Sequence, residues 1–197
     1  MAAYERREKR LLDRLVAMLN EYDTIDAIID LLAATVVTEV SDYLVDEYTA
    51  EFKAVAGFEP DEYDVNAVVY ALIDGKDFED RINQYFLEHD DPKQIATALE
   101  GLVRTDGHRV RGAGSYDAGM EMMRAGFTVT KTWRSVKIPT TRDTHFDLDG
   151  KTVPIDGYFE TVNGRTLYPG AFGIAEEDIN CLCYLDIEVT EEADDNE

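Results

Sequence analysis

Cys181 and Cys183 are the only cysteines in the chain, and an i, i+2 spacing on a strand turns both thiols to one face. Two thiols so placed can reach one metal ion. His145, joined by Asp149 or His108, can complete a Cys/His donor set of the kind that suits zinc. A small β-rich segment has little core of its own and gains from such a staple. The competing chemistry is two buried thiols packed beside a hydrogen-bonded histidine. In its favour, Cys-x-x-Cys is the commoner structural-zinc spacing, and the histidines number only three, at 89, 108 and 145. A disulfide closing so tight a loop would be strained and ranks last. The metal candidates are therefore His145, Cys181 and Cys183, with zinc the one cofactor in view.

A second cluster, Arg142, Asp143, His145, Asp147 and Asp149, has the residue types of a nuclease: histidine to move a proton, arginine to steady a phosphate. The plainer reading pairs Arg142 with a carboxylate and lets His145 order a turn through a backbone carbonyl. No second base or metal triad accompanies the cluster, so no catalytic residue is assigned and a small hydrolase stays as the alternative. Phosphate-binding glycine loops, a GxSxG elbow and an HExxH pair do not occur.

Charge narrows the partners. With 42 acidic against 19 basic residues the net charge is -23, a balance repelled by phosphate backbones. The stretch from Gly101 to Arg142 runs the other way, with eight Lys/Arg against three acids. These cations are either intramolecular partners for surplus carboxylates or a docking stripe (Arg104, Arg109, Arg111, Arg134 and Arg142) for an acidic protein surface or DNA. The start, MAAYERREKRLL, lacks the apolar core of a secretory signal, and no apolar run approaches the roughly 20 residues of a membrane span. A cytosolic site of synthesis and no membrane partner are expected.

The elements that must position these residues come in two textures. Residues 1–126 have helical periodicity. Leu11, Leu12, Leu15, Val16, Met18 and Leu19 form one stripe. Ile25, Ile28, Ile29, Leu32, Val36, Val40, Tyr43 and Leu44 form the next, behind an N-cap at Asp23 or Thr24. Shorter helices are expected over Val65–Ile73 and Asp77–Leu87, and another opens at Asp91-Pro92. Glycines 107, 112 and 114 are expected to loosen that helix before a last one over Tyr116–Arg124. From Gly126 the period becomes two: Phe127, Val129, Lys131 and Trp133 alternate with Thr128, Thr130, Thr132 and Arg134. Asp149-Gly150 and Asn163-Gly164 signal hairpin turns, and a last strand is expected over Cys181–Val189. Trp133 is expected to plug the core. The class is α+β: helices over 1–126, a β-rich unit over 127–190 and an acidic tail over 191–197.

From Arg104 to Leu185 the chain resembles the phage Mu F-like minor head protein family. The resemblance rests on ordered pieces: Arg104-Thr105-Asp106 with Arg109, Ala125-Gly126-Phe127, Lys131-Thr132-Trp133, Thr141-Arg142-Asp143-Thr144-His145, and Leu148-Asp149-Gly150. Asp156, Phe159 and Tyr168-Pro169-Gly170 follow, then Glu177-Asp178-Ile179-Asn180-Cys181-Leu182-Cys183. Trp133, Asp149, Gly150, Phe159, Pro169, Gly170 and Asn180 are its structural residues. The family commonly has Cys-Arg-Cys, where this chain has Leu182 between the cysteines. The resemblance implies a component of the phage head interior near the portal, made in the host cytoplasm and acting in head assembly by binding the portal or the major capsid protein. DNA contact would be secondary. Some relatives carry C-terminal toxin or ADP-ribosyltransferase domains. Fourteen residues follow Cys183, so none is expected here. An acidic, nucleic-acid-mimicking regulator would match the charge but not the ordered pieces.

Overall fold

The computed structural model describes residues 3–21, 29–89 and 91–191. The expected N-cap at Asp23 or Thr24, the apolar positions Ile25 and Ile28, the side chain of Ile29 and the tail beyond Glu191 lie outside the described residues.

Five helices come first: α1 (Ala3–Leu19), α2 (Ile29–Ala56), α3 (Glu62–Val69), α4 (Phe78–Glu88) and α5 (Pro92–Arg124). The three- and four-residue spacing read from the sequence becomes one apolar core. Leu11, Leu15 and Leu19 of α1 meet Val36, Val40, Leu44 and Tyr48 of α2 and Leu99, Val103 and Val110 of α5, all at most 2% exposed. Side chains of this size each contribute roughly 1.5–3 kcal/mol on burial. Asp77 and Asp91 cap α4 and α5, each accepting a first-turn amide at 2.9 Å.

One expectation fails here. The glycines at 107, 112 and 114 do not break α5, which runs unbroken for 33 residues. They are contact points instead: a Cβ at Gly107 would lie 2.6 Å from the Tyr43 hydroxyl, and one at Gly114 would lie 2.5 Å from the Tyr48 carbonyl oxygen. Helix packing outweighs the roughly 1 kcal/mol propensity cost of each glycine.

The remaining elements are β1 (Thr128–Arg134), α6 (Asp143–Phe146), β2 (Thr152–Pro154), β3 (Phe159–Thr161), β4 (Gly164–Thr166), α7 (Ala175–Asp178) and β5 (Tyr184–Thr190). The order is α+β, as expected from the change of period at Gly126. β1 is the middle of an antiparallel sheet ordered β2-β1-β5, with Lys131 opposite Val153 on one side and Ile187 on the other. Asn163-Gly164 closes the β3–β4 hairpin. Asp149-Gly150 turns the chain, with Gly150 at φ 80, but not between two strands: residues 143–146 are helical, and β2 pairs with β1. The final strand also begins later than expected, at Tyr184, opposite Arg134 at the end of β1, and Asn180 ahead of the cysteines adopts φ 57.

A second core lies under this sheet: Trp133, Leu148, Phe159, Cys181, Cys183 and Leu185. Trp133 is fully buried. Beside it, Lys131 is also fully buried, with Nζ donating to the Leu167 carbonyl at 2.8 Å and lying 4.6 Å from the centre of the Tyr116 ring. Burial brings its pKa from 10.5 down to about 8. Between those values the unfolded chain keeps the proton and the folded chain sheds it, so stability rises with pH. It should rise by at most about 1.4 kcal/mol per pH unit. The difference in unfolding free energy between wild type and Lys131→Met is expected to widen in favour of wild type from pH 8 to 10.5 and stay level from pH 6 to 7.5. A flat difference across both windows would mean that Lys131 is not desolvated.

Candidate functional site

α6 is a single turn, and it places His145 at the floor of the second core, 1% exposed. The imidazole meets Trp133 edge-on at 5.4 Å between ring centres and stacks on Phe172 at 6.0 Å. Its two nitrogens look opposite ways. Nδ1 lies 3.6 Å from Cys181 Sγ and 3.5 Å from Cys183 Sγ. Nε2 lies 2.8 Å from Glu177 Oε2, to one side of the N–H axis, so the contact is close without the alignment of a hydrogen bond.

Glu177, in α7, is fully buried. A carboxylate there needs donors, and it has them: Thr144 Oγ1 at 3.1 Å, Thr161 Oγ1 at 3.3 Å and Asn163 Nδ2 at 2.7 Å. Glu177 lies within the family motif, yet its type and spacing alone assign it no role. Its place four residues before Cys181 was the available signal.

The two cysteines precede β5 and are buried free thiols facing the same ring. The hydrogen bond to Cys183, together with burial, pushes the Cys181 thiol up. The same hydrogen bond from Cys181, with His145 and Ser135 nearby, brings Cys183 down to about 5. Ser135 ties the pieces together: its hydroxyl donates to the His145 carbonyl at 2.6 Å, lies 3.7 Å from Cys183 Sγ, and its amide donates to Asp149 at 2.9 Å.

Asp149 is thereby engaged elsewhere, since its other oxygen pairs with Lys137 at 2.7 Å. His108 sits on α5 against the Tyr4 ring, and burial beside Arg111 and Arg104 lowers its pKa to about 3. Neither joins the cysteines: among the described residues, one group of at least three such donors lies close enough to hold a metal, namely His145, Cys181 and Cys183, with ligand atoms within 4.8 Å of one another.

The motif glycines and their neighbours have packing duties as well as turns. A Cβ at Gly170, which holds φ 83, would lie 3.1 Å from Arg109 Cβ, and one at Gly112 would lie 3.0 Å from the Pro169 carbonyl oxygen. Tyr168-Pro169-Gly170 therefore seats on α5. Asn180 is fastened there too, its amide donating to Thr105 Oγ1 at 2.9 Å. Asp178, 1% exposed, gathers the amides of Phe172, Gly173 and Ile174 at 2.6–3.2 Å and shapes the approach to α7.

The expected docking stripe does not survive intact. Arg109, 2% exposed, donates to Asp106 and to the carbonyls of Val68 and Val69. Arg111, 7% exposed, donates to Glu47 at 3.1 Å and lies 4.1 Å from the centre of the Tyr4 ring. Both are internal partners of buried carboxylates and are withdrawn from any surface. Arg104 and Arg134 stay accessible, paired with Glu100 and Asp186 respectively. Arg142 donates to the Ile179 carbonyl at 2.6 Å, closing α6 onto the cysteine segment. The nuclease arrangement is not assembled either, because His145 is buried and Arg142 faces that carbonyl rather than a substrate space.

The profile of the "Phage Mu protein F like protein" family matches residues 65–186, more than half of the chain. The chain belongs to the phage Mu F-like minor head protein family. The matched span runs from α3 into β5, so it contains the Asp106–Arg109 contacts and the whole His–Cys cluster. Over 94 residues the chain is 35% identical to "Minor head protein GP7" of Bacillus phage SPP1, covering 47% of this chain and 30% of that protein. Over 119 residues it is 30% identical to "NAD(+)--arginine ADP-ribosyltransferase EFV" of Enterococcus faecalis, covering 60% of this chain and 24% of that protein. In both cases the likeness takes in less than a third of the relative, and the transferase activity named there belongs to that protein. No solved structure matches. No helix among the described residues is long and apolar enough to cross a membrane.

Proposed function

We propose that this family member is a minor component of the phage head that acts in assembly by binding the portal or the inner face of the capsid. The observation that carries the reading is the family match over residues 65–186, joined to the likeness to a minor head protein. The geometry accords with it. The polar groups quoted from the motif are internal ties between α5, α6, α7 and the cysteine segment, which suits a body that presents a fixed surface to a partner. Arg104 and Arg134 are the cations of the stripe left for contact with an acidic protein surface. DNA is a lesser partner for a chain of net charge -23.

Co-expression with the portal protein of the same phage, followed by native mass spectrometry, is expected to give a complex of defined stoichiometry. Arg104→Glu combined with Arg134→Glu should weaken it at least tenfold while leaving the circular dichroism unchanged. An unaltered complex would remove the arginines from the interface. Absence of any complex, with both portal and major capsid protein, would overturn the binding role itself.

A further inference from the structure

We propose that His145 Nδ1, Cys181 Sγ and Cys183 Sγ form a binding site for one zinc ion, with Glu177 as the residue that orients the histidine. The site does not depend on the assembly reading. Its first support is metrical. A tetrahedral zinc with Zn–S of about 2.3 Å and Zn–N of about 2.0–2.1 Å sets each S···N edge at about 3.5–3.6 Å. The two edges here are 3.5 and 3.6 Å. One imidazole N–H cannot serve two sulfurs equally well, whereas a cation centred among the three atoms serves them all.

The second support is the other side of the ring. A carboxylate 2.8 Å from Nε2 favours the imidazole proton there, which leaves the Nδ1 lone pair directed at the sulfurs. Glu177 is itself fixed by Thr144, Thr161 and Asn163, so its carboxylate stands beside Nε2 before any ion arrives. The third support is access. A narrow cleft with room for about one water borders the three donors and is lined further by Val136, Thr141 and Arg142. That opening gives the ion a way in and leaves its fourth position to a water. Binding exchanges the ion for the thiol protons, which pass to solvent, and involves no oxidation. The result is a staple between α6 and the segment leading into β5, across a core of only six buried residues.

The test uses the full chain, reduced and stripped with a chelator, titrated with zinc chloride and in parallel with cobalt(II) as an optical probe. The expected result is one metal per chain, a thiolate-to-cobalt charge-transfer band with tetrahedral ligand-field bands, and a higher melting temperature with zinc. Cys183→Ser and His145→Asn should lose stoichiometric binding. Glu177→Gln should keep the stoichiometry and weaken zinc affinity roughly ten- to hundredfold. Wild-type protein that is folded, titrates two free thiols, and yet takes up neither ion would overturn the site. So would a cobalt spectrum without the thiolate band. These readouts are made on the wild type, so misfolding of a variant leaves the decision intact. Unchanged zinc affinity in Glu177→Gln would remove the orienting role.

Discussion

Asp106→Ala is expected to destabilise the protein by about 3–5 kcal/mol, the usual cost of removing one partner from a buried ion pair. For a chain of this size each kcal/mol moves the melting temperature by about 2–4 °C, so the shift should be roughly 6–20 °C. The Asp106 carboxylate is fully buried and accepts from two guanidiniums, Arg81 at 2.7 and 2.8 Å and Arg109 at 3.1 and 3.2 Å. Their side chains are 11% and 2% exposed, so water cannot replace the lost charge. Arg109 would keep the carbonyls of Val68 and Val69, and Arg81 that of Asp77, but both cations would lose the carboxylate they are bonded to.

Asp106→Asn preserves the volume and one acceptor, so comparing it with Asp106→Ala separates charge from packing. The asparagine variant should lose most of the same stability. Combining Asp106→Asn with Arg81→Met should cost less than the two single changes added together, because the second removes a cation that the first has orphaned. A melting temperature for Asp106→Ala within 2 °C of wild type would show that the carboxylate is dispensable. The effect should also reach the His–Cys cluster, since the neighbouring Thr105 holds the amide of Asn180.

This triad also shows where sequence reading stops. Counting charges along Gly101–Arg142 found the basic excess, but such a count cannot see that Asp106 and Glu47 are fully buried and draw Arg109 and Arg111 inward. Intramolecular pairing is one of the two readings that the charge count leaves open, and for these two residues it is the one observed. The helices and the strand after Gly126 were legible because periodicity is local, and so was the Asn163-Gly164 turn. The convergence of His145 with Cys181 and Cys183 was legible only as a set of compatible donors. Glu177 was missed because its role depends on Thr144, Thr161 and Asn163, which no spacing rule joins. The Asp149-Gly150 turn was placed correctly but given the wrong neighbours, since a one-turn helix such as α6 leaves no periodic trace.

The glycines of α5 give the last expected result: the same substitution should change sign along one helix. Glycine to alanine in a helix interior normally gains about 1 kcal/mol. At Gly101 a Cβ meets nothing within 4 Å, so Gly101→Ala should stabilise by about 0.5–1 kcal/mol. At Gly107 the obstacles are the Tyr43 hydroxyl at 2.6 Å and two of its ring carbons at 3.1 and 3.2 Å, a side chain rather than backbone, and the variant should fall near neutral or slightly below. At Gly114 the obstacles are backbone: the Tyr48 carbonyl oxygen at 2.5 Å and the Phe52 nitrogen at 3.1 Å, both inside α2. Relief there requires the two longest helices to part. Overpacking costs typically 1–3 kcal/mol and sometimes more. A contact made by rigid backbone belongs at or above the top of that range, so Gly114→Ala should lose about 2 kcal/mol or more after the propensity gain. Denaturant unfolding of the three variants, with unchanged slopes, measures the order directly. If Gly114→Ala were as stable as Gly101→Ala, α2 and α5 would not be in the close contact that lets a 33-residue helix carry three glycines at its centre.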